Sequence, residues 1–388
     1  MHLLKNLIRS EELLATTLTV KHRFYASSAE PLSHKELMTL TLNAERHSLI
    51  TDYNEHSLGY AESGGSIDLR KAIASLYGVD ITENNVVVFP GAQTAMTLCA
   101  QSIIDKGDHG IVITPSYQSL EEGIKLAGGE VTRITLSPNN NWQLNINAVE
   151  QAIKKNTKYL VLNDPHNPSG SLMTASTKTK LITLAEQNDL IILSDEVYRL
   201  MEFDENERSP SMADLSPNAI ALSTMSKPWG AGGAGIGWIV CQNLSLCDML
   251  RKAQHLYACC FSRAGEIQAM MVIEASDEII TKNMAIINDN LCLLDTYFAN
   301  NSDLFEWVRP KAGGTGFVKF KGPLTGNELA ERLLDNEILV FPPYIFDCDD
   351  TLKQYFRIGF TRKTMPAALE AFAIFIDQHR SCWSELVI

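Results

Sequence analysis

Between residues 85 and 241, seven short runs of β-branched and other apolar residues alternate with helical stretches. This alternation constrains the fold more than any other feature. The runs are 85–89, 110–114, 130–136, 159–163, 190–194, 219–224 and 235–241. Helical patterns occupy most of the gaps, at 94–104, 119–127, 147–153 and 175–187. A strand that feeds a helix returns to a parallel neighbour, so the pattern predicts an α/β fold. Its centre is a mostly parallel seven-stranded sheet sandwiched by helices, with ligands at the C-terminal ends of the strands. Beyond residue 308 the pattern changes to glycine-punctuated strands (315–321, 355–360) mixed with helices (326–335, 366–379). The expected division is a large α/β domain over residues 50–275. A smaller α+β domain is built from residues 1–49 plus 276–388.

The 388 residues, 45% of them apolar, are ample for such cores. Thirty-three basic against 46 acidic residues leave a formal charge of −13. With no basic run, this is a poor holder of a nucleic-acid backbone. No stretch nears the roughly 20 apolar residues that span a bilayer. Residues 1–10 are broken by charge before a signal-peptide core accumulates, and they read as a short amphipathic helix or arm. The eight cysteines are scattered without a CxxC pair. That predicts reduced thiols, a cytoplasmic chain and no metal site.

Five segments at strand ends carry chemical tools. Phe89-Pro90-Gly91-Ala92-Gln93-Thr94 is a strand, a tight turn and a helix start. Unpaired N–H groups there make an anion site, although any strand–glycine–helix junction looks alike. Asn163-Asp164-Pro165-His166-Asn167-Pro168-Ser169-Gly170 directly follows the strand Tyr159-Leu160-Val161-Leu162. Its prolines forbid helix and ladder and fix a bend that either aims the Asn167 amide at a ligand or is an ordinary turn. Ser194-Asp195-Glu196-Val197-Tyr198 closes an apolar strand. Asp195 is placed there to hold a protonated ring nitrogen, or to cap a following helix. Ser223-Thr224-Met225-Ser226-Lys227 sets an amine among hydroxyls, an odd choice for a solvated surface and a nucleophile if desolvation and nearby cations favour its neutral form. Arg357, inside Tyr355-Phe356-Arg357-Ile358-Gly359-Phe360, needs a carboxylate or phosphate, from a ligand or from the chain itself. The run Gly230-Ala231-Gly232-Gly233-Ala234-Gly235 matches a dinucleotide fingerprint only in letters. A strand-like stretch follows it, and position 255 carries no acid.

Together and in this order, these segments resemble the class I/II aminotransferase family of pyridoxal-phosphate enzymes, with the aspartate-aminotransferase fold (fold type I). The likeness runs from about residue 25 to the C-terminus and includes Gly59-Tyr60 through Leu69-Arg70. It implies that Lys227 forms the internal aldimine with pyridoxal 5'-phosphate and then moves the proton between the substrate Cα and C4′. Asp195 would pair with the pyridinium nitrogen, and Tyr198 and Asn167 would hydrogen-bond the phenolic oxygen. Tyr117 would stack on the ring. The phosphate would rest on the Gly91-Ala92-Gln93 turn, helped by the Thr224 and Ser226 hydroxyls. Tyr60 would reach it from the neighbouring subunit of a homodimer with shared active sites. Arg357 would clamp the substrate carboxylate, with Asn167 and Ser28 beside it. Side-chain selection would fall to residues near Ser27, Ser28 and Tyr117, and to the 256–263 stretch of the opposite subunit.

One departure stands out. The family usually carries an arginine on the phosphate eight residues beyond the lysine, and Gly235 stands there. The helix terminus, the hydroxyls, Tyr60 and a basic residue such as Arg263 are the expected substitutes. The leading expectation is transfer of an amino group from an α-amino acid to a 2-oxo acid. The same scaffold also hosts β- or γ-elimination, replacement, and cyclisation of the capreomycidine-synthase type. A regulator is disfavoured, because the chain is acidic and Lys227 and Asp195 are retained.

Overall fold

The computed structural model describes residues 20–346 and 348–384, so the arm expected over residues 1–10 lies outside the described residues. A short strand, β1 (His22–Arg23), precedes the main sheet. That sheet is formed by β2 (Val86–Pro90), β3 (His109–Thr114), β4 (Glu130–Thr135), β5 (Thr157–Asn163), β6 (Ile191–Asp195), β7 (Ala219–Thr224) and β8 (Ile236–Cys241). All seven expected runs form strands, with ends displaced by at most two residues. Val86, Val87, Val88 and Phe89 are fully buried, as befits a strand covered on both faces.

The spatial order is β2-β8-β7-β6-β5-β3-β4. Strand β8 alone runs antiparallel to its neighbours. The glycine-rich run before it makes a tight return where a crossover helix would have produced a parallel strand. The chain proceeds in one direction from β5 through β6 to β7, and in the other from β3 to β4. The order therefore reverses between β5 and β3, and a crevice opens beyond their C-terminal ends. Thr114, Asn163, Asp195 and Thr224 are the last residues of β3, β5, β6 and β7.

A second sheet pairs β10 (Thr315–Phe320) antiparallel with both β9 (Phe305–Glu306) and β12 (Tyr355–Gly359), and β11 (Ile338–Leu339) pairs parallel with β1. Phe305 centres its core, with Phe298, Phe320, Phe356 and Phe372 at ring distances of 5.5, 5.6, 6.3 and 5.8 Å. One buried apolar cluster runs from Val87 and Phe89 to these rings, so the two sheets share packing. Residues 24–29 stitch across them. The Phe24 carbonyl accepts the Gly359 N–H at 3.1 Å, and the Ala29 N–H donates to the Lys227 carbonyl at 2.9 Å.

The loop after β5 is anchored by a buried ion pair. Lys178 Nζ lies 2.7 Å from Asp164 Oδ2, with both side chains under a tenth exposed. Asp164 Oδ1 also accepts the Met173 N–H at 2.8 Å. Removing the cation strands a buried carboxylate, which costs about 3–5 kcal/mol. Lys178→Met is expected to lower the urea midpoint accordingly, and adding Asp164→Asn should recover most of the loss.

Candidate active site

The C-terminal ends of the strands open onto a cavity of about 430 Å³. At its edge Gly91 leaves β2 with φ 83°, a conformation that only glycine adopts cheaply. It caps the helix Ala92–Ile103, and no side chain caps that terminus. The unpaired N–H groups and the helix dipole make this end of the cavity a place for an anion. Ser226 borders the same space.

Asp195 ends β6 and is 3% exposed. Its Oδ1 accepts the Val197 N–H at 3.2 Å. Turns over residues 197–200 follow it, so Asp195 does not cap a helix. Burial raises its carboxyl pKa to about 7, against the opposing pull of that N–H and of the Lys227 charge. Lys227 Nζ donates to Ser27 Oγ at 3.2 Å and lies 5.4 Å from the Tyr198 ring centre.

Arg357 comes from β12, in the other sheet, and is buried. It donates to Asn167 Oδ1 at 3.0 Å and to the Tyr25 carbonyl at 2.8 Å. The Phe341 ring centre lies 4.4 Å from its guanidinium carbon. Its Nε has no partner. Burial lowers its pKa to about 10, with the phenols of Tyr198, Tyr117 and Tyr25 acting the other way, so it stays cationic at neutral pH.

Asn167 is itself held in place. Its N–H donates to Asn163 Oδ1 at 2.6 Å. The neighbouring His166 places Nε2 2.8 Å from the Pro115 carbonyl and Nδ1 2.7 Å from Ser169 Oγ. Burial pulls the His166 pKa down to about 4. The ring is therefore neutral, and the carbonyl requires the proton on Nε2. This contact ties the Asn167 loop to the loop that carries Tyr117.

The cavity wall brings together Gly91, Ala92, Gln93, Tyr117, Asn167, Asp195, Tyr198, Thr224, Ser226, Lys227 and Arg357. Ser28 and, within one chain, Tyr60 and Arg263 lie elsewhere. Tyr60 is 88% exposed and borders a separate polar cavity together with Arg263. Ser28 turns away, its hydroxyl accepting from Arg362 at 2.9 Å. Within one chain, neither Tyr60 nor Arg263 lines the main cavity, and Arg263 is paired with the buried Glu266 at 2.8 Å. Thr224 lines the wall but donates its only hydroxyl proton to the Ile236 carbonyl at 3.0 Å. Gly235 closes a 3-10 turn at φ 69°. Nothing lies within 4 Å of where its Cβ would stand. Backbone conformation, not crowding, is what favours glycine there.

The wall also contains Tyr25, Met96, Val197, Gly232 and Phe341, which sequence reasoning missed. No motif marks Tyr25 or Phe341, and only packing unites them.

The family profile for aminotransferases of class I and II matches residues 31–372. The chain belongs to this family. Relatives of the aminotransferase include the aspartate aminotransferase of Sulfurisphaera tokodaii, 30% identical over 322 residues, or 80% of each chain. The capreomycidine synthase of Streptomyces vinaceus is 26% identical over 277 residues, covering 71% of this chain and 70% of that one. Among solved structures, a PLP-dependent aminotransferase from Streptococcus suis matches with a TM-score of 0.86 at 26% identity, over 95% of this chain and 96% of that one. Aminotransferases of this family work with pyridoxal phosphate. The cavity's donor set suits that group, with an amine for an aldehyde, a buried carboxyl for a ring nitrogen and an uncapped helix terminus for a phosphate.

The raised Asp195 pKa has a measurable consequence in the cofactor-free aminotransferase. The carboxyl titrates near pH 7 when folded, against an ordinary value of 3.8. Between those limits the folded chain holds a proton that the unfolded chain releases, so stability falls as pH rises from about 4 through about 7. Asp195→Asn should flatten this slope and be most stabilising above pH 7, as read from urea midpoints across the range.

Proposed function

We propose that Lys227, Asp195 and Arg357 perform amino-group transfer between an α-amino acid and a 2-oxo acid in this cavity. The observation that carries the reading is convergence. An amine, a buried carboxyl and a buried guanidinium from three distant segments border one space. Bound there, pyridoxal phosphate would supply an electron sink for the pair left when a substrate Cα–H bond breaks. Asp195 would hold the ring nitrogen's proton by opposing its charge. Asn167 and Tyr198 would donate to the phenolic oxygen, while Tyr117 covers the ring face. The N–H groups of Ala92 and Gln93 and the Ser226 hydroxyl would receive the phosphate.

Arg357 is already oriented by Asn167, the Tyr25 carbonyl and the Phe341 ring. The guanidinium borders the cavity and suits a substrate carboxylate, and fixing that group orients the Cα–H bond. Lys227 would then take the proton from the substrate Cα and return it at C4′ of the cofactor. Ser27, the hydrogen-bond partner of the amine, would steady it between the two positions.

Two finer readings belong with this one. Leu58, Tyr60, Leu256 and Tyr257 are 95, 88, 80 and 64% exposed, which supports a homodimer in which Tyr60 serves the neighbouring site. All seven described cysteines are free, which supports a cytoplasmic enzyme. We read residues 50–275 as the large domain, and residues 1–49 plus 276–388 as the small one.

The likeness to a capreomycidine synthase sustains a second reading, elimination with cyclisation. Mixing holoenzyme with an amino-acid panel separates the two. Transamination should yield one oxo acid per site without free ammonia, until a second oxo acid is added. Continuous ammonia or cyclic product would overturn it. Lys227→Ala should lower turnover about a thousandfold or more. Arg357→Gln should cut kcat/KM about a hundredfold.

A further inference from the structure

We propose that Thr361 is a positioning residue for the reaction and that Ser27 is a further catalytic one. The buried Thr361 hydroxyl fixes Ser27, and Ser27 holds the Lys227 amine both before and after it takes a proton. The proposal rests on the reading of Lys227 as the group that moves the proton, and it names what sets that group in place.

Residues 24–29 are held along their length by β12 and the residues that follow it. The Phe24 carbonyl accepts the Gly359 N–H at 3.1 Å, and the Tyr25 carbonyl accepts from Arg357 at 2.8 Å. Thr361 is buried and shares its one hydroxyl proton between the Ala26 and Ser28 carbonyls, at 3.1 and 2.6 Å. Those two residues flank Ser27, so the forked bond fixes the backbone from which the Ser27 side chain departs. Thr361 is in turn packed against Gly314, where any Cβ would collide with the threonine methyl group.

The same crossing holds Lys227 at both ends. The Lys227 carbonyl accepts the Ala29 N–H at 2.9 Å, and its Nζ donates to Ser27 Oγ at 3.2 Å. Ser27 and Lys227 both border the cavity. A lysine held only by its backbone spreads its amine over many rotamers, and a second attachment at Nζ removes much of that freedom.

The chemistry favours this partner. A proton leaving the substrate Cα joins the Nζ lone pair and makes an ammonium, while the electron pair passes toward the cofactor ring. Delivery of the proton at C4′ restores the amine, so no further reactant is consumed. Ser27 Oγ can accept an N–H from either form, and the bond becomes charge-assisted in the ammonium. The Tyr198 ring, its centre 5.4 Å from Nζ, favours the same charge. Arg357 and Thr361 lie four residues apart, so the group that seats the substrate carboxylate and the group that sets the base share one frame.

The test follows exchange of the substrate α-hydrogen in deuterated water, catalysed by the holoenzyme. Loss of that hydrogen precedes both amino transfer and elimination, so the assay reads Ser27 whichever product forms. Ser27→Ala should slow exchange about tenfold or more. It should also raise the isotope effect of an α-deuterated substrate and leave KM and the urea midpoint unchanged. Ser27→Thr should restore most of the rate. Thr361→Val, which keeps the shape and loses the hydroxyl, should slow exchange in the same way, and Thr361→Ser should recover it. Loading of pyridoxal phosphate into cofactor-free protein, followed by absorbance, should slow about threefold or more in Ser27→Ala and Thr361→Val, because the same amine must meet the aldehyde. On a Lys227→Ala background, adding Ser27→Ala should change exchange by less than about twofold.

A further full loss on that background would show that Ser27 acts other than through the amine, and would overturn the proposal. A Ser27→Ala protein that alters KM and spares exchange would overturn it as well. Both results would leave the reading of Lys227 standing. Exchange that survives Lys227→Ala at the wild-type rate would overturn that reading, and the proposal with it.

Discussion

A guanidinium held out of water must find acceptors, and the fold around the cavity depends on how Arg357 finds them. It sits on a strand of the second sheet. Its hydrogen bonds go to Asn167, beyond the main sheet, and to Tyr25, near the start of the described chain. Two aromatic faces, Phe341 and Phe346, lie against it. One buried cation thus holds together segments more than three hundred residues apart in sequence. An arginine left unpaired at this depth would cost several kcal/mol, so the two sheets and the 24–29 crossing are held in one arrangement. The chain takes one hydrogen bond from each Nη, so the guanidinium, which borders the cavity, keeps further N–H donors for a ligand.

The rest of the site follows from where a parallel sheet stops. Strand ends deliver Thr114, Asn163, Asp195 and Thr224 to one edge, and the reversal of strand order opens the crevice there. Burial does the electrical tuning. It raises Asp195, lowers His166 and depresses Arg357 without neutralising it. A neutral histidine that clamps two loops and a carboxyl balanced near neutrality are both consequences of excluded water. The chain's net charge of −13 does not enter. An uncapped helix end and hydroxyls can receive an anion within an acidic protein, because their donors act over a few ångströms while the surface charge is screened.

Much of the fold was legible because its signals are local. β-branched runs fall on strands within two residues, and the Asp-Pro and Asn-Pro pairs mark the bend after β5. The glycine run before residue 236 was readable as leading into a strand, though not as the hairpin that turns β8 antiparallel. Taken singly, Asp195 also read as a helix cap and Asn167 as part of an ordinary turn; with Lys227 they stood out because the segments occur together and in one order. Tyr25 and Phe341 were invisible, since an aromatic in an apolar stretch is ordinary core material until packing leaves its edge in a cavity. Thr224 was readable as a hydroxyl at the site. The direction of its single proton, toward Ile236, depends on a backbone carbonyl of the adjacent strand.

The amino-acid sequence by itself determined the alternation of strands and helices, the chemical tools at the strand ends and the family to which they correspond. These reside in spacing and residue type, which need no knowledge of distant neighbours. Tertiary structure alone decided which tools share a cavity, leaving Tyr60, Arg263 and Ser28 outside it. It also decided that Gly235 is a backbone requirement of a turn, and that the wall beside Arg357 is an aromatic pair. Those outcomes depend on burial and on contacts across hundreds of residues. Desolvation, the force that sets these pKa values, exists only once the chain has closed over the site.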